Sequence, residues 1–166
     1  MLSLDRGELR YADQRKLRGI WLAPCEDDVA EVIGPQGPDA LGIDLRRFRD
    51  VLAGRRGRLK TTLTDQSVIA GLGNLLTDEI CWQARLHPSR SVSELDDADL
   101  RQLHATMRWV LRTAVRHGRV PGLPRWLTGV RDDPDPSCPR CGTRLARART
   151  GGRTSMWCPR YQAEPR

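Results

Sequence analysis

Near the carboxy-terminal end, Cys138, Cys141 and Cys158 stand with two residues inside the first pair and sixteen before the third cysteine. Thiols at that spacing can close on one metal ion or act as a redox couple. The chain opens MLSLDRGELRY, with charge where a secretory leader has its apolar stretch, so both readings come before a disulfide framework. Cys25 and Cys81 stand alone and read as small buried hydrophobes. A second group runs from Asp65 to Asn74 and contains Gly71, Gly73 and Asn74 ahead of a helical segment. Glycines there permit tight turns and close backbone approach, and the free amides at the start of the next helix form an anion site. Taken alone, the same pattern simply connects two helices. The 28 basic residues outnumber the 21 acidic ones, for a net charge of +7 and a pI near 9.8, which favours a polyanionic partner without identifying it. Only Lys16 and Lys60 are lysines; the other cationic residues are arginine, a skew that codon bias explains. His87, His104 and His117 have no serine or cysteine pattern beside them, and none is assigned to catalysis.

The elements that must position these groups are mostly helical. No run approaches the ~18 apolar residues of a membrane span, and a cytoplasmic protein is expected. Leu9, Tyr11 and Ile20 to Leu22 suit short strands with a turn at Asp5-Arg6-Gly7. Helical segments are expected at 26–33, 44–53, 57–65, 74–86 and 97–116. In the last, Leu100, Leu103, Met107, Val110, Leu111 and Ala114 form one apolar face. Asp96 and Asp97 supply starting signals and Gly118 the stop, and Trp109 is expected in the core with Met107. Residues 118–137, with Pro121, Pro124, Pro134 and Pro136, read as a linker. Beyond it, Cys138 to Gln162 forms a compact hairpin around Thr150-Gly151-Gly152.

The string LKTTLTDQSVIAGLGNLLTDEICWQARLHP, Leu59 to Pro88, closely resembles the helix-two-turn-helix segment of the formamidopyrimidine-DNA glycosylase/endonuclease VIII family, through Lys60, Asp65, Gln66, Gly71, Gly73, Asn74, Glu79, His87 and Pro88. The resemblance implies that Lys60 and Asn74 hold phosphates beside a damaged nucleotide, a positioning role without base readout. The segment CPRCGTRLARARTGGRTSMWCPRYQ is similar to the family's terminal zinc finger, in which four thiolates hold Zn2+ and an arginine on the turn, here Arg153, meets the DNA backbone. Tyr161 stands where the fourth cysteine would be. An unperturbed phenol titrates near ~10 and is a poor zinc ligand at neutral pH. Either the three cysteines hold zinc with water or a carboxylate, or the hairpin survives without metal by packing Leu145, Met156 and Trp157. Residues 11–21 resemble the end of the family's amino-terminal domain, where Arg15 and Leu17 would take the places of an inserting wedge; a plain strand and turn is the other reading.

The family's base excision, as the resemblance implies, starts at an amino-terminal proline with a glutamate beside it. This chain begins Met1-Leu2-Ser3, and its resemblance starts at the last strands of the catalytic domain. The expectation is therefore a mainly α protein: a short amino-terminal β remnant (1–25), a helical helix-two-turn-helix DNA-binding domain (26–130) and a zinc-finger-like β-hairpin (131–166). It would bind duplex DNA, abasic or distorted sites included, through Lys60, Gly71, Gly73, Asn74, Arg153 and Arg15, with Cys138, Cys141 and Cys158 as metal ligands and no catalytic residue. Two rivals remain open. One is a residual glycosylase or abasic-site lyase using Lys60 or the terminal amine; the other is an interaction module whose strand edge near residues 8–23 docks a repair partner.

Overall fold

The computed structural model describes residues 2–12 and 20–164. Arg15 and Leu17, the expected wedge, lie outside the described residues. The chain divides into two compact units, residues 1–34 and 35–166. In the first, β1 (Leu2–Ser3) pairs antiparallel with β2 (Glu8–Leu9). The turn between them falls at the expected place: Gly7 takes φ +95° and its carbonyl accepts from the Leu4 N–H at 3.0 Å. Tyr11 and Ile20 to Leu22 are exposed and outside any strand; suitable residue types alone do not make a strand. Helix α1 (Glu26–Ile33) follows, with Cys25 at its N-cap. That cap is exposed, and the Cys25 thiol donates to the Asp28 carboxylate at 3.3 Å; the expectation of a buried Cys25 is corrected, whereas Cys81 is indeed buried.

The second unit carries four helices: α2 (Leu45–Leu52), α3 (Leu59–Leu63), α4 (Asn74–Gln83) and α5 (Asp97–Arg116). Each lies within the segment its periodicity indicated. Asp44 caps α2 by accepting from the Arg47 N–H at 2.8 Å. Asp96 and Asp99 form a reciprocal capping box on α5, a device that satisfies amides a helix start leaves free. At the other end Gly118 adopts φ +62°, the left-handed stop that glycine tolerates without strain.

Leu103, His104, Met107, Val110, Leu111 and Ala114 line the inward face of α5; Leu103, Met107, Val110 and Leu111 pack with Phe48, Leu59, Leu63, Ile69 and Ile80 in one core, and His104 lies against Phe48. Trp109 falls off that stripe and is 48% exposed, stacked against the buried Trp126 at 5.3 Å between ring centroids, so its expected burial is corrected. Each fully buried side chain of this size contributes about 1.5–3 kcal/mol. All five cysteines are free, and the core holds the fold without disulfides.

After α5 the proline-bearing stretch is packed rather than loose. Trp126 enters the helical core, and Leu127, in a 3-10 turn at Leu127–Gly129, enters a second core with Trp82, Leu145, Met156, Cys138 and Cys158. Strands β3 (Ala146–Thr150) and β4 (Arg153–Trp157) pair antiparallel, from Ala146 opposite Trp157 to Thr150 opposite Arg153. Gly151 (φ +57°) and Gly152 (φ +74°) form the two-residue connection, the left-handed pair that a type I′ hairpin requires.

Candidate nucleic-acid interface and metal centre

The loop before α4 is fixed by one side chain. Gln66 donates to the carbonyls of Thr64 (3.2 Å) and Leu72 (2.9 Å), and its own carbonyl accepts from the Gly71 N–H at 2.9 Å. Gly71 sits at φ +94°, where a side chain would be strained. Gly73 is the N-cap of α4 in ordinary extended backbone (φ −99°), and a Cβ built there would meet nothing. Its contribution is clear space in front of the helix start, not a special turn. No side chain caps α4, so the amides of its first turn remain available to an anion. Asn74 is half-buried, and its side-chain carbonyl has no partner. On the far side, the segment at Pro38–Ala40 braces the loop by exchanging backbone bonds with Ala70 (Ala70 N–H to Pro38 O, 3.0 Å; Ala40 N–H to Ala70 O, 2.9 Å).

Arg153 is exposed at the tip of the β3–β4 hairpin. The tip is anchored by buried charge. Lys60 is only 1% exposed, and its ammonium donates to the Asp78 carboxylate and to the Thr154 carbonyl, both at 2.6 Å. Arg131, also buried, pairs with the other Asp78 oxygen and reaches the same Thr154 carbonyl at 3.3 Å. Gly151 fits against Thr61 of α3, 3.2 Å from its hydroxyl to where a Cβ would stand. Burial pushes the Lys60 ammonium down and the Asp78 carboxyl up; the Lys60–Asp78 attraction opposes both, while Arg131 opposes the rise at Asp78 and adds to the lowering at Lys60. Lys60 is thus enclosed behind the hairpin, not presented at the surface. Asp78 and Arg131 were not singled out from the sequence. The signal for Asp78 was available: two adjacent acids in a helix whose Ile80, Cys81 and Trp82 are all buried cannot both face water.

Glu79, next to Asp78, is buried and forms no ion pair among the described residues. It accepts from the Thr128 N–H at 3.0 Å and from the Gln83 amide at 2.7 Å, and burial pushes its carboxyl up to about 7. Arg140 stacks over Trp82 at 3.8 Å and donates to the Trp82 carbonyl and the Gln83 side chain. His87 accepts from the Ser89 N–H at 3.1 Å and packs edge-on to Trp157, and burial holds it below its ordinary value.

The sulphurs of Cys138, Cys141 and Cys158 all lie within 4.8 Å of one another, with Cys141 and Cys158 3.7 Å apart. Tetrahedral zinc with sulphur at about 2.3 Å sets sulphur-to-sulphur edges of roughly 3.8 Å, so the donor set fits zinc. Leu145, Met156 and Trp157 are also buried at the hairpin.

Residues 34–121, more than half of the chain, match the formamidopyrimidine-DNA glycosylase H2TH domain. The chain belongs to the formamidopyrimidine-DNA glycosylase family. Residues 137–160 match the zinc finger found in FPG and IleRS. Formamidopyrimidine-DNA glycosylase of Symbiobacterium thermophilum is 36% identical over 175 residues, covering 97% of this chain and 57% of the relative. The Heliobacterium modesticaldum enzyme is 36% identical over 177 residues, covering 96% and 63%. This family member therefore spans about three fifths of the length of the curated relatives it matches. Among solved structures, Lactococcus lactis Fpg in complex with abasic-site DNA superposes with a TM-score of 0.70 at 25% identity, over 84% of this chain and 56% of that one. MutM in complex with DNA containing carbocyclic 8-oxo-G gives 0.66 at 26%, over 78% and 51%. Among the described residues no helix is long and apolar enough to cross a membrane.

Proposed function

We propose that these 166 residues bind duplex DNA through its phosphates, favouring abasic or distorted sites, and leave bases in place. The observation that carries this reading is that two exposed donor groups both take their position from α3. The uncapped start of α4 follows α3 through the loop stapled by Gln66. The Arg153 tip is tied to Lys60 and Thr61 of the same helix. Amides and a guanidinium on so short a frame suit adjacent phosphates on a backbone. Solved relatives in complex with abasic-site and modified DNA support the partner. In this reading Lys60 is a positioning residue: it sets the hairpin tip through the Thr154 carbonyl. Its amine is also enclosed and bonded to Asp78 and the Thr154 carbonyl, which keeps it out of reach of an abasic sugar. Zinc on Cys138, Cys141 and Cys158 would supply a cross-link at the hairpin's base. Selectivity would come from the ease with which damaged DNA bends rather than from a base pocket.

Fluorescence anisotropy on matched duplexes, intact and with one abasic site, tests the reading. Affinity should fall steeply with salt, and Asn74→Ala and Arg153→Ala should each weaken it, Arg153→Ala lowering the log-log salt slope by about 0.9. Unchanged affinity in both variants overturns the interface. A covalent adduct on borohydride trapping with abasic DNA overturns binding through phosphates alone by showing an amine that attacks the sugar, and the adduct's position identifies that amine.

A further inference from the structure

The hairpin carries its cysteine turn twice. Cys138-Pro139-Arg140-Cys141 and Cys158-Pro159-Arg160-Tyr161 differ only at the last residue, and their backbones close in the same way. The N–H groups of Cys141 and Gly142 donate to the Cys138 carbonyl at 3.2 and 2.8 Å; those of Tyr161 and Gln162 donate to the Cys158 carbonyl at 3.2 and 2.9 Å. In backbone terms Tyr161 occupies the place that Cys141 holds in the first turn. Its side chain does other work. The Arg85 guanidinium lies over the ring, 5.3 Å from its centroid, and the ring walls a surface groove with Gln83, Trp109 and Arg140. The Cys141 thiol meets the Thr143 hydroxyl and lies 3.7 Å from the Cys158 sulphur, and Tyr161 packs as an apolar neighbour against the cluster that holds Cys138 and Cys158.

We infer that Cys138, Cys141 and Cys158 form a three-thiolate zinc site whose fourth position is open, filled by solvent and exchangeable for a small monodentate donor such as imidazole. Three protein ligands with a free fourth position is the arrangement zinc adopts where it accepts an outside ligand, whereas a purely structural site is closed by four. Three thiolates around a divalent ion also leave the centre one unit less negative than four would. That difference matters beside a strand with Arg147 and Arg149 and a tip with Arg153.

Cobalt(II) loaded into the full chain gives a readout independent of DNA binding. One equivalent should bind with thiolate charge-transfer and tetrahedral d–d bands, and added imidazole should shift the d–d bands. Tyr161→Phe should give the same spectrum and the same response. Tyr161→Cys should bind at least about tenfold more tightly and ignore imidazole, since a fourth thiolate closes the site. Failure of the native chain to bind one equivalent overturns the inference, as does a native spectrum indifferent to imidazole. Loss of a phenolate band in Tyr161→Phe overturns it too, by making Tyr161 the fourth ligand.

Discussion

The loop before α4 and the tip of the β3–β4 hairpin face the same proposed ligand but are held by opposite means. The loop is fixed locally by a neutral amide near the surface, Gln66 against Thr64, Gly71 and Leu72. The tip is fixed by two cations and a carboxylate enclosed in the protein, drawn from α3, α4 and the stretch after α5. A short neutral staple fails locally when cut. A buried charge cluster does not, because removing one member strands the others away from water.

Breaking the cluster should therefore have the largest effect. Asp78→Asn leaves Lys60 and Arg131 facing a neutral amide and should destabilise the chain by about 3–5 kcal/mol, measured by urea unfolding; a cost near that of an exposed ion pair would show that water reaches the cluster.

Glu79 sharpens the contrast: it is a buried acid hydrogen-bonded to neutral groups, with Arg140 opposing its burial penalty only in part. Its carboxyl lies near 4.5 unfolded and about 7 folded, so both states are protonated below the first value and both are ionised above the second. Between them only the unfolded chain has lost the proton, and stability should fall as pH rises through that window, by about 3 kcal/mol. His87, held below its ordinary value by burial, acts with the opposite sign: its contribution grows as pH rises toward that ordinary value and is complete above it. The quantity to measure is thus the difference between the native chain and Glu79→Gln across pH 4.5–7. Parallel stability curves would refute the burial penalty.

Cutting the neutral staple is a smaller change. Gln66→Ala should destabilise by about 1 kcal/mol, with faster hydrogen exchange at the Gly71 amide and little change at the hairpin; equal acceleration at both sites would merge the two mechanisms. Gly73→Ala should be smallest in stability, within about 0.5 kcal/mol, because its φ suits alanine and its Cβ meets nothing. It should still weaken DNA binding, which titration by anisotropy measures, since the methyl enters the space in front of the α4 amides.

The same contrast accounts for what could be read from the sequence. The five helices, the glycine stop of α5 and the two-glycine hairpin turn depend on neighbours in the chain and were legible there. So were the three cysteines and the GxGN loop. The enclosure of Lys60 was not, because its partners Asp78, Arg131 and Thr154 are distant in sequence and only the folded packing brings them together. A hint existed in an arginine-rich chain that keeps a lysine at position 60: an ammonium fits a small buried site that a guanidinium would overfill. Trp109 was misplaced because hydrophobicity alone was allowed to outweigh its position off the stripe that Leu103, Met107 and Val110 define. The strands expected at Tyr11 and Ile20 to Leu22 rested on residue type alone, which does not decide whether a strand forms.

The bond from Lys60 to the Thr154 carbonyl spans 94 residues of chain, and that from Arg131 to Asp78 spans 53. Contacts of such separation close late in folding, after local helices have formed. On a growing chain, α3 and α4 emerge well before Arg131 and Thr154 exist. Until then the Lys60–Asp78 pair has no cover from the hairpin and stays hydrated. Arrival of β4 dries it, so a strand made 94 residues after Lys60 completes an interior that α3 and α4 began.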